Sequence, residues 1–352
     1  MAHILNNKKY LQDVLAITNL NIPWGNLAGT TIAISGASGM IGSFLIDLLM
    51  LDKLNLDAHI IAFVRNEKRA RERFAPYIDR GKIEIVSADI NAGVPLTVLD
   101  NVDYVIHAAS NTHPRAYATE PIQTLLTNVV GTDNMLRYGL KHNMKRFLFI
   151  SSVEIYGENR GDVERFAEEY CGYIDCNTLR AGYPEGKRAG EALCQAYIKE
   201  KGTDIVITRL PRVFGGSMLQ SDTKALSQFL KKGVAGEDIV LKSKGTQEYS
   251  YIYVADAVSG LLYSLLYGGK GEAYNVADES LDVTLAGLAN EIADLVGRKV
   301  VFDLPDAIEQ AGYSKATKAM LDSCKLRKLG WKPIFSLSEG IEHTISILRN
   351  LA

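Results

Sequence analysis

The stretch from Thr31 to Leu51 constrains the fold more than any other part of the chain. It begins with TIAIS, a run of strand-forming residues, continues through the glycine-rich turn GASGMIG, and ends with SFLIDLLML, whose apolar residues recur at helical spacing. A strand that passes through a tight turn directly into a helix is typical of a parallel sheet covered by helices. The stretch therefore predicts where such a sheet begins.

The alternation of strand and helix continues as far as Leu210. Further strands are predicted at residues 58–64, 82–89, 102–110, 146–152 and 204–210. Amphipathic or charged helices are predicted between them, the longest at 121–142 and 184–200. Parallel strands joined by helices form right-handed units on a single sheet. We therefore expect an α/β fold with a doubly wound parallel sheet of the Rossmann type.

The glycine-rich turn has the spacing that a dinucleotide requires. Gly36 permits the tight turn, Gly39 lets the backbone approach a pyrophosphate, and Gly42 allows the helix to pack closely on the strand. The phosphate charge then meets the N-terminus of the following helix. We therefore expect this turn to bind NAD(P).

The end of the second predicted strand bears on the choice between NAD and NADP. It reads AFVRN, so that Arg65 favours the 2′-phosphate of NADP, and Asn66 is a candidate ribose partner. An alternative is that Arg65 is a solvated residue at the start of a basic helix. Asp89, after the third strand, is placed to contact the adenine, with a simple turn-forming role as the alternative.

After Pro211, strands and helices no longer alternate regularly, which predicts that a second structural unit begins there. We expect an N-terminal extension with one docked helix at 7–18, a dinucleotide-binding domain, and a smaller C-terminal α/β lobe for the substrate. The expected boundaries are 1–29, 30–210 and 211–352, with 249–260 returning to the first domain.

Composition excludes several classes of protein. A formal charge of -2 provides no general field for nucleic acid or anionic lipid. No apolar run approaches the roughly 18 residues that span a bilayer, and the N-terminus has no apolar segment of signal-peptide length. The four cysteines form no CxxC pair and no cluster with histidine. We expect a cytoplasmic protein with no metal, membrane or nucleic-acid partner.

The run FLFISSVEIYG, at 147–157, is a second candidate site. Its apolar residues give way abruptly to Ser151, Ser152 and Glu154, as in a buried strand that ends at a sheet edge. In open α/β sheets, ligands bind beyond the carboxyl ends of the strands. These side chains are therefore candidates for chemistry, although a strand running into a plain turn would look the same.

Tyr183 and Lys187 lie four residues apart at the start of a predicted helix, and therefore on one face of it. A tyrosine with a pKa of about 10 is a poor base, but a neighbouring ammonium favours its phenolate. The lysine is also placed to reach the ribose of the nicotinamide.

Several motifs in order along the chain resemble the extended short-chain dehydrogenase/reductase superfamily of nucleotide-sugar epimerases and dehydratases. The motifs are GASGMIG (36–42), ADI (88–90), HAAS (107–110), NVVGT (128–132), SSVEIYG (151–157), YPEGK (183–187), RLPRVFG (209–215) and IYVADAV (252–258). The resemblance covers about residues 31 to 351. EGKR after Tyr183 and the run HAASNTHPRAY resemble in particular the UDP-glucuronate decarboxylase branch.

The resemblance implies roles for individual residues. Ser152 would donate a hydrogen bond to the sugar, Tyr183 would be the catalytic base, and Lys187 would bind the ribose, with Ser151 as the neighbour that could be confused with Ser152. Tyr183 and Lys187 also count among the cofactor contacts. The other implied contacts are Gly36, Ser38, Gly39, Met40, Ile41, Gly42, Arg65, Asn66, Asp89, Ile90, Ala108, Ala109, Ser110 and Asn128. Family habit favours NAD.

Glu154 separates the reaction types of the family. Similar 4,6-dehydratases and nucleotide-sugar decarboxylases have glutamate at this position, where it could move a proton at C5 beside a 4-keto sugar. The dehydratases with a full acid/base pair have aspartate just before it, whereas this chain has Val153. A salt-bridged Glu154 with no chemical role remains an alternative.

Two departures from the family pattern concern the substrate. Tyr249 stands where many relatives have an arginine that clamps the pyrophosphate, and Arg212 stands where asparagine is usual. Either the clamp has moved to Arg212, since a guanidinium binds phosphate in a bidentate fork, or the ligand is not a standard nucleotide sugar. Arg209 and Asn111 are also expected to contact the substrate.

The first hypothesis for function is an epimerase or dehydratase that transiently oxidises C4 of a nucleotide-linked sugar. Alternatives are a decarboxylase similar to those acting on UDP-glucuronate, an NADPH-dependent reductase of a keto-sugar or related precursor, and a dinucleotide-binding scaffold without catalysis. The resemblance also implies a homodimer formed through the helices near 121–141 and 184–200.

Overall fold

A computed structural model describes residues 3–95, 101–112, 114–303 and 317–351. The strands are β1 Thr31–Ser35, β2 His59–Val64, β3 Ile83–Ser87, β4 Tyr104–His107, β5 Arg146–Ser152, β6 Ile205–Leu210, β7 Arg212–Phe214, β8 Ile239–Leu241, β9 Glu248–Tyr249, β10 Tyr251–Tyr253, β11 Ala273–Asn275, β12 Val283–Thr284, β13 Val300–Phe302 and β14 Lys318–Ala319. The helices are α1 Lys8–Ile17, α2 Met40–Leu49, α3 Glu67–Ile78, α4 Pro114–Thr119, α5 Pro121–Lys141, α6 Gly182–Lys201, α7 Ala225–Ala235, α8 Val254–Tyr267, α9 Leu285–Leu295, α10 Cys324–Arg327 and α11 Leu337–Leu351.

The main sheet contains seven parallel strands in the order β3-β2-β1-β4-β5-β6-β11. The chain moves from β1 to one side of the sheet and later returns to the other side at β4. This reversal creates a crevice beyond the carboxyl ends of β1 and β4, which is where doubly wound sheets bind their ligands. The predicted fold class is confirmed.

Side chains of the central strands alternate between two buried faces. Ile32 and Ile34 of β1 belong to the larger apolar cluster, whereas Ala33 between them belongs to the cluster beneath α5 and α6. In β5, Leu148 packs on the first face, and Phe147 and Phe149 pack on the second. Strands buried on both faces read as continuous apolar runs, which explains why the sequence predicts them so clearly.

The part of the chain after Leu210 forms small sheets and also completes the large one. Strand β10 pairs with β7, β8 pairs with β13, and β9 pairs with β12 and β14. Strand β11, however, lies beside β6 in the main sheet, although the sequence suggests that it belongs to the smaller lobe. The division of the chain at residue 210 therefore remains a prediction, with one strand crossing it.

Helix α1 forms where the sequence predicts it and joins the two parts of the molecule. The Tyr10 hydroxyl donates to Asp47 of α2 at 2.5 Å. Asp13, which is almost fully buried, accepts hydrogen bonds from the Tyr253 hydroxyl at 2.6 Å and pairs with His343 of α11 at 2.7 Å. Among the described residues, no helix has the length and apolar character needed to cross a membrane.

Candidate active site

The glycine-rich turn leaves no room for a side chain at its first glycine. Gly36 has a φ of +69°, and a Cβ built on it would lie 2.8 Å from backbone atoms of Ala108 and Ala109. A Cβ on Gly42 would lie 2.5 Å from the Gly36 carbonyl oxygen. This contact explains why the third glycine is needed for helix α2 to approach the strand.

Helix α2 presents an open N-terminus at this turn. It begins at Met40, and its N-cap residue Gly39 makes no side-chain capping bond. The first N–H groups of an uncapped helix attract anions. Ser38 and Ile41 are half-buried beside them. The turn therefore fits the pyrophosphate of a dinucleotide, as predicted.

For the residues after β2 and β3, the structure is compatible with both a cofactor contact and a purely structural role. Arg65 is exposed, and its Nη2 lies 3.5 Å from the Asn111 side-chain oxygen. Asn66 caps α3, because its side-chain oxygen accepts the Arg69 N–H at 3.0 Å. Asp89 is exposed and accepts the Asn91 N–H at 3.0 Å, which is a turn-forming contact. These positions border the crevice, but their ribose and adenine contacts remain predictions.

The loop after β4 is held by buried polar contacts. The N–H groups of Ala108 and Ala109 both donate to Ser35, at 3.2 and 3.3 Å. Ser110 donates to the Asn128 side chain at 2.9 Å, and Asn128 is fully buried on α5. Ile90 is buried in the apolar cluster that also contains side chains of β2 and β4. The structure thus supports Asn128 and Ile90 as residues that shape the crevice.

Ser152 and Tyr183 lie side by side at the carboxyl end of β5. The Ser152 hydroxyl hydrogen-bonds the Tyr183 phenol and accepts the Glu154 N–H at 3.3 Å. Tyr183 is buried at the start of α6, and burial raises its pKa to about 12, an effect that the hydrogen bond from Ser152 opposes. The predicted pair is therefore assembled. Ser151, by contrast, points its hydroxyl into the protein, where no acceptor lies among the described residues.

Lys187 is buried one turn after Tyr183 but does not act on it in the expected way. Its Nζ donates to the Ile150 carbonyl at 2.7 Å and lies 4.9 Å from the Phe149 ring centre. Burial lowers the pKa of Lys187 to about 7. No lowering effect of this amine on the Tyr183 pKa is found. In this conformation, the hydrogen bond from Ser152 and the positive charge of Arg180 stabilise the Tyr183 phenolate, and the Lys187 amine would have to turn toward a bound ribose.

Glu154 is partly buried between two arginines. Its carboxylate lies 2.9 Å from Arg180 Nη2 and 4.0 Å from Arg212 Nη2. Both the predicted chemical role and the predicted salt bridge are therefore compatible with its position. The guanidinium of Arg212 lies 3.4 Å from the ring centre of Tyr249, which the sequence had singled out together with it.

Arg209 has an internal role instead of the predicted contact with substrate. Its guanidinium forms two hydrogen bonds with Glu191, at 3.0 and 2.6 Å. The Nη1 atom donates to the Tyr156 hydroxyl at 2.9 Å and to the Glu168 carbonyl at 2.6 Å. All sides of the guanidinium are thus engaged within the protein. Asn111 remains a candidate, since its buried side-chain nitrogen has no partner among the described residues.

Sequence reasoning missed Arg180 and Tyr117. The Arg180 guanidinium lies 4.7 Å from the Tyr117 ring centre, and the Tyr117 ring centre lies 5.1 Å from that of Tyr183. The available signal was the position of Arg180, three residues before Tyr183. Tyr117 ends the run HAASNTHPRAY that carries part of the resemblance, but only the packing of α4 shows that it reaches the site.

Comparison with known proteins shows the family of the chain. Residues 32–277 match the model of the NAD dependent epimerase/dehydratase family. UDP-glucuronic acid decarboxylase 1 of Danio rerio is 33% identical over 317 residues, which cover 89% of this chain and 71% of that protein. UDP-glucuronic acid decarboxylase 3 of Arabidopsis thaliana is 31% identical over 317 residues, covering 88% of this chain and 86% of its own.

Solved structures of more distant proteins share the fold. UDP-glucuronic acid 4-epimerase from Bacillus cereus, solved with UDP-glucuronic acid and NAD, has a TM-score of 0.76 at 21% identity, covering 92% of this chain and 100% of its own. A double mutant of DesIV, a dTDP-glucose 4,6-dehydratase from Streptomyces venezuelae, has a TM-score of 0.77 at 23% identity. The match covers 90% of this chain and 96% of that protein's chain.

The fold and the glycine-rich turn define an NAD-binding protein of the Rossmann type. The chain belongs to the NAD dependent epimerase/dehydratase family. The predictions of the family, of an NAD(P)-dependent enzyme of the nucleotide-sugar epimerase/dehydratase type, and of NAD(P) as the cofactor are thereby confirmed, with NAD as the dinucleotide on which the family depends. The preference for NADP that Arg65 suggests receives no support from the family.

Proposed function

We propose that the protein decarboxylates a nucleotide-linked uronate by oxidising the sugar transiently at C4. The observation that carries this proposal is the hydrogen-bonded pair of Ser152 and Tyr183, with Glu154 beside it between Arg180 and Arg212. The similarity to UDP-glucuronic acid decarboxylases supports UDP-glucuronate as the substrate. The catalytic roles that follow are part of the proposal.

Oxidation begins with the C4 hydroxyl between Ser152 and Tyr183. Tyr183 takes the hydroxyl proton, and Ser152 donates a hydrogen bond to the oxygen that becomes the ketone. NAD bound at the glycine-rich turn supplies a reversible acceptor for the C4 hydrogen and its electron pair. Burial raises the pKa of Tyr183 to about 12. The phenolate therefore needs a positive charge close to it, which the nicotinamide ring brings.

Loss of CO2 follows from the position of the ketone. With C4 oxidised, the C6 carboxylate lies β to a ketone, so that cleavage of the C5–C6 bond moves its electron pair onto the C4 oxygen. Ser152 and the protonated Tyr183 then donate hydrogen bonds to the developing oxyanion. One proton from solvent is taken up and adds at C5, with Glu154 as the proposed group that passes it on, and the hydrogen then returns to C4. The balance is one CO2 released with no net oxidation.

The test is to incubate the purified protein with UDP-glucuronate and NAD and to identify the product by mass spectrometry. The expected product is a nucleotide-linked pentose, formed with one CO2 and no net NADH. The Tyr183→Phe variant should bind NAD but form no product. Tyr267→Phe is the control, because it removes a hydroxyl on α8 that donates to the Asn21 carbonyl and keeps the ring that packs on Tyr263. Product formation by Tyr183→Phe at the wild-type rate would contradict the proposal.

A second candidate is reduction of a keto-sugar by NADPH. The exposed position of Arg65 at the end of β2 favours it, since a guanidinium there could take the 2′-phosphate. The same assay separates the two candidates. Oxidation of one NADPH for each product formed would favour the reductase, whereas turnover without net consumption would exclude it.

We also propose that the protein is a homodimer and acts in the cytoplasm. Support for the dimer comes from exposed apolar side chains on or before the two paired helices α5 and α6. Ile122 and Leu179 are each 71% exposed, and Leu125 is 40% exposed. Such a group of exposed apolar residues is typical of an interface. Light scattering should give twice the chain mass, and Ile122→Lys should reduce it to one chain.

A further inference from the structure

The site contains more positive than negative charge. Glu154 is the carboxylate shared by Arg180 and Arg212, so that two guanidinium groups face one anion. Another nearby carboxylate, Asp222, is paired with Lys224 at 3.0 Å. The tyrosines around the arginines add no charge, because burial raises the pKa of Tyr117 and of Tyr249. The cluster formed by Arg180, Arg212 and Glu154 therefore contains one more positive than negative charge.

Arg180 and Arg212 each also have a buried N–H donor with no hydrogen-bond partner among the described residues. The donor is Nη1 in both arginines, and both atoms are shielded from solvent. Buried donors are normally satisfied, so an unsatisfied one needs an explanation. Two such donors on guanidinium groups that share a carboxylate are explained by a second anion that binds with the substrate.

Both guanidinium groups are held in place by aromatic rings. Arg180 stacks on Tyr117, and Arg212 stacks on Tyr249, at 4.7 and 3.4 Å from the ring centres. Stacking leaves the edge of a guanidinium free to bind a carboxylate or phosphate in a bidentate fork. The orientation of the two cations is therefore set before the ligand arrives.

The arginine pair lies next to the reacting centre. Tyr117 bridges Arg180 and Tyr183, and the Glu154 N–H bonds the Ser152 hydroxyl. If Ser152 and Tyr183 hold the C4 oxygen, as proposed above, the substituent on C5 must lie close to Glu154. In a uronate that substituent is a carboxylate, which is the missing anion.

We propose that Arg180 and Arg212 bind the C6 carboxylate of the substrate and select uronates over neutral hexoses. This inference rests on the proposed function. The incoming carboxylate binds the buried Nη1 donors of the two arginines and weakens the pairing of Glu154 with Arg180, so that Glu154 can turn toward C5. When the C5–C6 bond breaks, the electron pair moves to the C4 oxygen and neutral CO2 leaves. The arginines then lose their anion, and Glu154 returns to Arg180. The neutral product sugar therefore lacks the contact that the C6 carboxylate made with the two arginines.

The experiment measures binding without turnover. Calorimetry in the Tyr183→Phe background, saturated with NAD, gives the affinities of UDP, UDP-glucose and UDP-glucuronate. We expect UDP-glucuronate to bind more tightly than UDP-glucose by about tenfold or more, as for hydrogen bonds to a charged group. Arg180→Gln and Arg212→Gln should remove most of this preference while the affinity for UDP stays unchanged. Arg71→Gln, at an exposed pair with Glu67, is the matched control.

Two results would overturn the inference. If the preference for UDP-glucuronate survives both substitutions, the arginines do not bind the carboxylate. If the affinity for UDP falls as much as that for UDP-glucuronate, Arg212 is a pyrophosphate clamp instead. The proposed function is tested separately by CO2 release from the wild-type protein. Absence of CO2 with an arginine-dependent preference would reject decarboxylation but keep the carboxylate pocket.

Discussion

Replacement of Gly36 by alanine tests the dinucleotide turn most sharply. At a φ of +69°, an L-residue costs roughly 1–2 kcal/mol. The new Cβ would also lie 2.8 Å from backbone atoms of Ala108 and Ala109. Those atoms yield little, because both N–H groups are bonded to Ser35. Overpacking of this kind adds about 1–3 kcal/mol. The total cost is therefore about 2–5 kcal/mol, the sum of these two ranges.

Gly81→Ala separates the two contributions. Gly81 has a φ of +66°, but nothing lies within 4 Å of a Cβ built on it. This variant should lose only the roughly 1–2 kcal/mol of backbone strain. Urea unfolding gives the two free energies, and titration with NAD gives the affinities. Gly36→Ala should lose more stability than Gly81→Ala. NAD binding should be lost in Gly36→Ala and retained in Gly81→Ala. Equal stability losses, or wild-type NAD affinity in Gly36→Ala, would refute the steric argument.

Three further predictions follow from the buried charges. Because the pKa of native Lys187 is about 7 and that of an unfolded lysine is about 10.4, the unfolded chain binds more protons between these values. The stability of the wild type relative to Lys187→Met should therefore rise from pH 7 to pH 10, as thermal melts of both proteins will show; a constant difference would contradict it. Arg209→Met should cost about 3–5 kcal/mol by leaving Glu191 buried without its partner, and Glu191→Gln in the same chain should recover part of that loss in urea unfolding; a further loss would be unexpected. Glu154→Gln should still oxidise C4 in a single turnover, measured as NADH absorbance, but should stop deuterium entry at C5 in D2O. Normal deuterium entry would leave Glu154 with only its salt bridge.

The sequence predicts the sheet well because its central strands are buried on both faces. The apolar runs of β1 and β5 are long, and glycines or polar residues mark where they end. Strand β11 has three residues, and its place beside β6 depends on pairing between distant segments. Local patterns contain no information about such pairing. The sequence alone therefore placed β11 in the smaller lobe and not in the main sheet.

The proximity of Ser152 and Tyr183 could be predicted from the sequence, whereas the electrostatic surroundings of the two residues could not. Motif order brings Ser152 and Tyr183 together, because each lies at the end or start of a well-predicted element. Spacing places Lys187 on the same helix face as Tyr183, but it does not show that the amine bonds the Ile150 carbonyl. The partner of Arg209 is likewise invisible, because Glu191 approaches it only through packing of α6 on β6.

The most direct test of the account follows deuterium placed at C4 of UDP-glucuronate. If C4 is oxidised and then reduced within one active site, the product pentose should retain the deuterium at C4, without net formation of NADH. Mass spectrometry and proton NMR of the product locate the label. Loss of deuterium from C4, or its accumulation in free NADH at the rate of product formation, would contradict transient oxidation at C4.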